Sequence, residues 1–358
     1  MPSGMAHIPS QAFCNCSGLT SVMIPLSVTS IKVNAFYGCS ALMSVTIPDG
    51  VTSIGESAFE GCNGLTSVSI PSSVTSIGYR AFYGCGRLMS VTIPSSVTRL
   101  SDTFPSAYST VSEVVISEGV RNIENNEFVG CYGLTSVTIP STVTRIGSAA
   151  FYNCNGLTRV NITDLAKWCE VEFVDFSANP LYYAAHLYLN GEELVDLAVP
   201  EGTTCIQSCA FYGCSGLESV KIPSNVSSIG YQAFYGCSSL THVSMSLSVT
   251  SVGRSAFDGC YGLTYVSIPS CITKISTTFQ SAYQNIREVV VLDGVTKISD
   301  HMFDGCVALT AVKIPSSVTS IGDYAFYNCY GPLPSHRHDK PFAASTPSMI
   351  PHLTFVRQ

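Results

Sequence analysis

Cysteine is the residue type with the widest chemical reach in this chain, and there are 16 of them in 358 residues. Eleven recur at one place in a repeating text: Cys16, Cys39, Cys62, Cys85, Cys131, Cys154, Cys214, Cys237, Cys260, Cys306 and Cys329. Thiols at this density could form a disulfide framework or a thiolate metal site. If successive copies stack, however, neighbouring side chains run parallel about 4.8 Å apart. A disulfide needs Cβ atoms about 3.8 Å apart with a defined torsion. The spacing therefore predicts a column of buried thiols that pack as small apolar groups. The other five, Cys14, Cys169, Cys205, Cys209 and Cys271, are scattered. Cys205 and Cys209, four apart, are the one pair that invites a bridge or a metal.

Other chemical groups are sparser. His336 and His338, in SHRHD, could hold a metal weakly. There is no C-x-x-C, no Cys–His cluster with zinc spacing and no GxxxxGK[ST] phosphate loop. Ser, His and Asp all occur, but without a nucleophile elbow, and no carboxylate pair recurs. The expectation is a protein with no catalytic residue, no cofactor and no metal. Sequons at Asn15, Asn161 and Asn225 matter only in a secreted eukaryotic protein.

The chain is 46% apolar and 11% charged, which excludes disorder. A net charge of −7 argues against nucleic acid, which calls for a basic face. No apolar run reaches the length of a membrane span, and MPSGMAHIPSQAF lacks the parts of a signal peptide.

These residues must be positioned by a repeat. Counting the first letter of each LTSV-type word as position 1, it falls at Leu19, Leu42, Leu65, Leu88, Val111, Leu134 and Leu157, always 23 residues apart. After a gap of 37 it resumes at Leu194, Leu217, Leu240, Leu263, Ile286 and Leu309. That makes thirteen copies, with a 14-residue insertion inside the seventh, at 157–193. Near-alternation at Leu65, Val68 and Ile70 reads as a short strand buried on one side, ended by Pro71. VTSIG gives a second short extended piece. AFYGC makes a tight turn that sends Ala81, Phe82 and Cys85 inward. Gly at positions 14, 20 and 23 is expected to supply positive φ at the corners. One copy cannot bury its apolar side, so copies must stack into a solenoid.

A longer rhythm overlies this one. TRLSDTFPSAYSTVSEVVI at 98–116 returns as TKISTTFQSAYQNIREVVV at 273–291, 175 residues later. The organisation expected is a truncated first repeat at 1–18, the array at 19–331, and an unphased, disordered or foreign tail at 332–358. The chain then reads as a piece of a longer array, whose uncapped ends favour end-to-end self-association.

The words LTSVTIP, SVTSIG and AFYGC at this spacing resemble the BspA-type (Treponema pallidum-type) leucine-rich repeats. The resemblance covers roughly residues 5–331. It implies a β-rich leucine-rich-repeat solenoid, a right-handed superhelix of about 13–14 coils with a parallel sheet on the concave face. It also implies a surface or secreted protein of host-associated bacteria or parasitic protists that adheres to host matrix or cell-surface proteins. The family carries no catalytic motif.

Function, on this reading, lies on the sheet face. Positions 3 and 5 are mostly Ser or Thr, a nearly neutral lawn of hydroxyls. Departures from it are Glu113, Val115, Arg159, Asn161, Asp196, Lys221, His242, Tyr265, Glu288, Val290 and Lys313. They are either drift among solvated positions or a recognition surface, where aromatic and Arg side chains concentrate binding energy. In the insertion, Trp168, Tyr182 and Tyr183 form either an exposed aromatic anchor or a small satellite core, and Asn190-Gly191 signals a type I′ hairpin. The sequence thus leads to a non-catalytic protein-interaction scaffold, with a purely structural envelope array as the alternative.

Overall fold

A computed structural model describes residues 4–97, 100–330 and 354–357. The chain is a parallel-sheet β-solenoid of about 14 turns, roughly 23 residues per turn. It divides into two compact units. The first comprises Met1–Lys167, Phe173–Ala184 and Tyr188–Gly191, and the second Trp168–Glu172, Ala185–Leu187 and Glu192–Gln358.

In the first unit, LTSVTIP forms the main sheet. Ser44–Thr46, Ser67–Ser69, Ser90–Ile93, Glu113–Ile116, Ser136–Ile139 and Arg159–Ile162 pair in parallel, each residue opposite its counterpart one repeat away. The residue between the two outward positions points in: Val68 is 3% exposed and Val91, Val114, Val137 and Val160 are fully buried. SVTSIG builds a narrower sheet from His7–Ile8, Ser30–Ile31, Ser53–Ile54 and Ser76–Ile77. The second unit repeats the plan, with Asp196–Ala198, Ser219–Lys221, His242–Ser244, Tyr265–Ile268, Glu288–Val291 and Ala311–Ile314 in its main sheet. From the tail, Thr354–Arg357 adds a further parallel strand beside Ala311–Ile314. His336 and His338 lie outside the described residues.

Stacking explains the repeat's conserved-looking words. The Phe of AFYGC forms a column of parallel rings: Phe13, Phe36, Phe59 and Phe82 lie 5.1–5.2 Å apart, and Phe211, Phe234 and Phe257 lie 5.1–5.3 Å apart. Beside it runs the thiol column. Cys62, Cys85, Cys154, Cys237 and Cys260 each donate Sγ–H to the Phe carbonyl of the preceding coil at 3.1–3.3 Å. Burial pushes the Cys85, Cys131 and Cys214 thiols up to about 12, so they stay protonated at neutral pH. Among the described residues no two cysteines are joined by a disulfide, Cys205 and Cys209 included.

Threonine at positions 2 and 11 stitches coil to coil. Thr66, Thr135 and Thr158 donate Oγ1–H to the main-chain carbonyl 23 residues earlier, as do Thr241, Thr264 and Thr310 in the second unit. Thr52, Thr75, Thr250 and Thr319 do the same at position 11.

The corner chemistry differs from the expectation in an instructive way. Of positions 14, 20 and 23, position 20 is the one that uses glycine for positive φ, as at Gly61 (φ 77); Gly119, Gly202 and Gly294 do so at position 9. At positions 14 and 23 glycine serves close approach: a Cβ on Gly78 would lie 2.3 Å from the Glu56 nitrogen, and one on Gly133 2.3 Å from the Ser109 oxygen. A second left-handed residue per corner falls at position 16 and is not glycine: Asn34, Ser57, Arg80, Ala149, Gln232 and Ser255 have φ 50–56. The stack holds that conformation, because the N–H of Ser57 donates to Tyr79 O and that of Gln232 to Arg254 O in the next coil.

The TFxSAY copies replace the second short strand with one helical turn, Leu100–Thr103 in the first unit and Ile275–Thr278 in the second. Phe104 and Phe279 keep their places in the ring columns, tilted by 36° and 34°. The narrow sheet is therefore interrupted once in each unit, between Ser76–Ile77 and Asn122–Ile123 and between Ser251–Val252 and Lys297–Ile298.

Candidate interaction surface

The outward residues of the main sheets are set by register, so their neighbours follow directly from the pairing. In the first unit, Glu113 stands opposite Ser90 and Ser136, and its carboxylate accepts from Ser90 Oγ at 3.0 Å. Asn161 Nδ2 donates to Ser136 Oγ at 3.0 Å. Arg159 is half-buried under the hairpin of the insertion: its guanidinium carbon lies 3.8 Å from the Tyr188 ring centre and Nη2 donates to Gly191 O at 3.1 Å. That geometry is a cation–π clasp, and it commits Arg159 to holding the hairpin.

In the second unit, Asp196, Ser219, His242, Tyr265, Glu288 and Ala311 stand in one row across six strands. Two residues along, Ala198, Lys221 and Ser244 pair, as do Val290 and Lys313. The His242 and Tyr265 rings stack at 5.5 Å and 28°. Asp196 accepts from Ser219 Oγ. Lys313 Nζ donates to Glu288 Oε1 at 2.7 Å, and that carboxylate raises the Lys313 ammonium above its ordinary range. Lys221 is exposed at the edge of the aromatic pair. The face is thus a short aromatic platform, with one exposed cation on one side and a closed ion pair on the other. Such a surface can stack, donate and accept.

The strip expected to run from Arg159 through Tyr265 is divided. Arg159 and Asn161 belong to the sheet of the first unit and Asp196, Lys221, His242 and Tyr265 to that of the second. The reason is the insertion, whose strand Leu187–Leu189 takes the place beside Arg159–Ile162. The hairpin itself forms as its sequence predicts, with φ 51 at Asn190 and 91 at Gly191.

Trp168 leaves the candidate surface. It is 2% exposed, and its indole N–H donates to Ala210 O at 3.0 Å. The insertion turns this apolar ring into an interior wedge because a buried indole needs an acceptor and the Ala210 carbonyl supplies one. Tyr183 accepts from the Asn153 N–H at 2.9 Å, whereas Tyr182 remains 45% exposed against Phe176. The satellite-core reading therefore describes Trp168 and Tyr183, whereas Tyr182 is exposed, as is Phe176 beside it.

Two residues escaped the reading of the outward positions. Tyr188 clasps Arg159 from within the insertion, where no repeat position exists to flag it. Glu127 occupies the Ala position of AFYGC and is 7% exposed. Comparing inward as well as outward positions across copies would have found it.

Comparison with known proteins assigns the class. The BspA type leucine rich repeat region matches residues 1–107, 101–177 and 204–332, in six copies. The chain belongs to the BspA-type leucine-rich repeat family. Among solved structures, it is similar to a leucine rich cell surface protein from Faecalibacterium prausnitzii, at 33% identity over 91% of this chain and 81% of that one, TM-score 0.34. A leucine-rich repeat protein from Bacteroides ovatus shares 27% identity over 90% and 80%, TM-score 0.34. The T. pallidum leucine rich repeat protein shares 22% over 68% and 78%, TM-score 0.25. No match is found among curated proteins. Among the described residues, no helix is long and apolar enough to cross a membrane.

Proposed function

We propose that this protein is a non-catalytic scaffold for protein recognition, displayed at a cell surface or secreted, and that the sheet face of its second unit is the contact surface. The observation that carries this reading is the row Asp196, His242, Tyr265 and Glu288 with Lys221 and Lys313 alongside, on a scaffold most of whose outward positions are Ser or Thr. A neutral field of hydroxyls gives a partner little to bind; an aromatic pair flanked by charge gives both apolar area and orientation. Membership of the family supports a host matrix or cell-surface protein as the partner class.

The test is surface plasmon resonance of the full chain against purified matrix proteins and intact host cells. Saturable binding that drops at least about tenfold when Lys221, His242 and Tyr265 are changed together to Ala supports recognition through this face. Saturable binding untouched by those changes moves the contact elsewhere, and absence of saturable binding to every candidate favours the structural-array alternative.

A further inference from the structure

The first unit contains a cavity that no surface reading accounts for. It opens where the narrow sheet is interrupted, has a volume of about 260 Å³, and is lined by Ile93, Pro94, Val97, Ile116 and Val120 with Glu127. These five apolar residues are all buried. Exposed Arg121, Asn122 and Glu124 also line it and form its mouth.

Glu127 is the chemical anomaly. Every other AFYGC-type corner in this unit puts Ala at that position, as at Ala35, Ala58, Ala81 and Ala150, all at most 2% exposed. Its Oε2 accepts one hydrogen bond, from the Glu124 N–H at 2.8 Å. Burial, with Glu124 as a like charge beside it, pushes the Glu127 carboxyl up to about 8. Burying a carboxylate is costly, and the fold does not require it. The second unit repeats the same backbone arrangement with Met302: Ile275 N–H donates to Met302 O as Leu100 N–H donates to Glu127 O. Met302 is 2% exposed. An uncharged side chain therefore serves the architecture, and the carboxyl is an addition to it.

We propose that this cavity is a binding site for a primary alkylammonium group, the chemistry of a lysine side chain or a free aliphatic amine, with the cation held by Glu127. The aliphatic walls suit a methylene stem. One carboxylate oxygen is already engaged with the Glu124 N–H, which leaves a single acceptor for a point-like ammonium and does not suit the two-pronged fork of a guanidinium. A hard divalent cation would call for six or more oxygen ligands, more than these walls provide. At the mouth, Glu124 favours and Arg121 opposes an incoming cation, so the selectivity rests on Glu127.

Binding an ammonium requires Glu127 to be ionised, so below about pH 8 the complex forms with release of one proton. Affinity should rise about tenfold per pH unit up to that point, then hold level until the amine itself loses its charge near pH 10.4. The test titrates the full chain with n-butylamine and with Nα-acetyl-lysine amide, followed by NMR and calorimetry at pH 6, 7, 8 and 9. The expected result is saturable shifts confined to residues 93–97 and 116–127, the stated pH slope, and loss of at least about tenfold in affinity for Glu127→Gln. Glu127→Ala, which restores the residue of neighbouring copies, should fold and bind neither probe. Binding of both probes identifies a lysine-accepting site, and binding of n-butylamine alone a site for free amines. Absence of saturation, unchanged affinity in Glu127→Gln, or an ordinary carboxylate titration of Glu127 in the unliganded protein would each overturn the proposal.

Discussion

The two units share an interior and differ at the surface. Ring columns, thiol columns and threonine stitches recur with nearly the same distances in both. Outward positions do not: the first unit presents Ser44, Ser67, Ser90 and Ser136 in register with Glu113 and Arg159, whereas the second presents Asp, Ser, His, Tyr and Glu on consecutive strands. The inward residues must fit a copy of themselves one coil away, so a change in one demands a change in its neighbour. Outward residues face water and are released from that demand. Where they diverge, the packing of the interior is not the cause.

The sharpest way to break this comparison is at the ring columns. Phe59 and Phe234 are both fully buried and stacked on both sides. Phe59→Ala and Phe234→Ala should each cost about 3–5 kcal/mol in chemical denaturation, because each leaves a cavity between two rings. Nearly equal losses are expected; a large inequality would mean that the interiors are not equivalent.

Close approach gives the next effect. Alanine at Gly133 puts Cβ 2.3 Å from the Ser109 oxygen, whereas at Gly262 the nearest atom, Ser238 O, is 2.9 Å away. At Gly18, which has the same position in the repeat, nothing lies within 4 Å. Overpacking of this kind costs about 1–3 kcal/mol, so the order of destabilisation should be Gly133→Ala, then Gly262→Ala, then Gly18→Ala with almost none. Equal melting temperatures for the three variants would remove the steric account and leave only backbone entropy.

Much of this was legible in the residues themselves. Strict spacing named the stacked coil, since thirteen copies of L-T-S-V-T-I-P have one way to bury Val68 and its counterparts. Asn190-Gly191 named its turn because only a type I′ hairpin uses two positive φ values in succession. What escaped was whatever depends on contact between coils. Ser57 and Gln232 adopt positive φ because their own N–H groups donate to carbonyls of the next coil, and nothing in a serine or a glutamine announces it. The reason for Gly78 lies in Glu56 of the coil before it. Arg159 reads as an outward charge until Tyr188, outside the repeat register, closes over it. The surface was legible as a set of departures; which of them are spent on the fold itself required the geometry.

The smallest effect separates two uses of the same functional group. Thr135 and Thr241 donate Oγ1–H to the coil before them at 2.9 and 3.0 Å, one in each unit. Ser67 and Ser244 stand on the sheet face, one in each unit, with outward side chains in the hydroxyl field. Thr135→Val and Thr241→Val keep the branched shape that strands favour and remove only the donor, so each should lose roughly 0.5–1.5 kcal/mol. Ser67→Ala and Ser244→Ala remove a solvated hydroxyl and should stay within roughly 0.5 kcal/mol of the parent. Denaturant titrations of the four single variants decide it. If the serines cost as much as the threonines, the face hydroxyls are part of the scaffold, and their uniformity in the first unit is a packing requirement. If only the threonines cost, the serine field is free to vary, and its replacement by His242, Tyr265 and their neighbours in the second unit calls for a ligand rather than a fold.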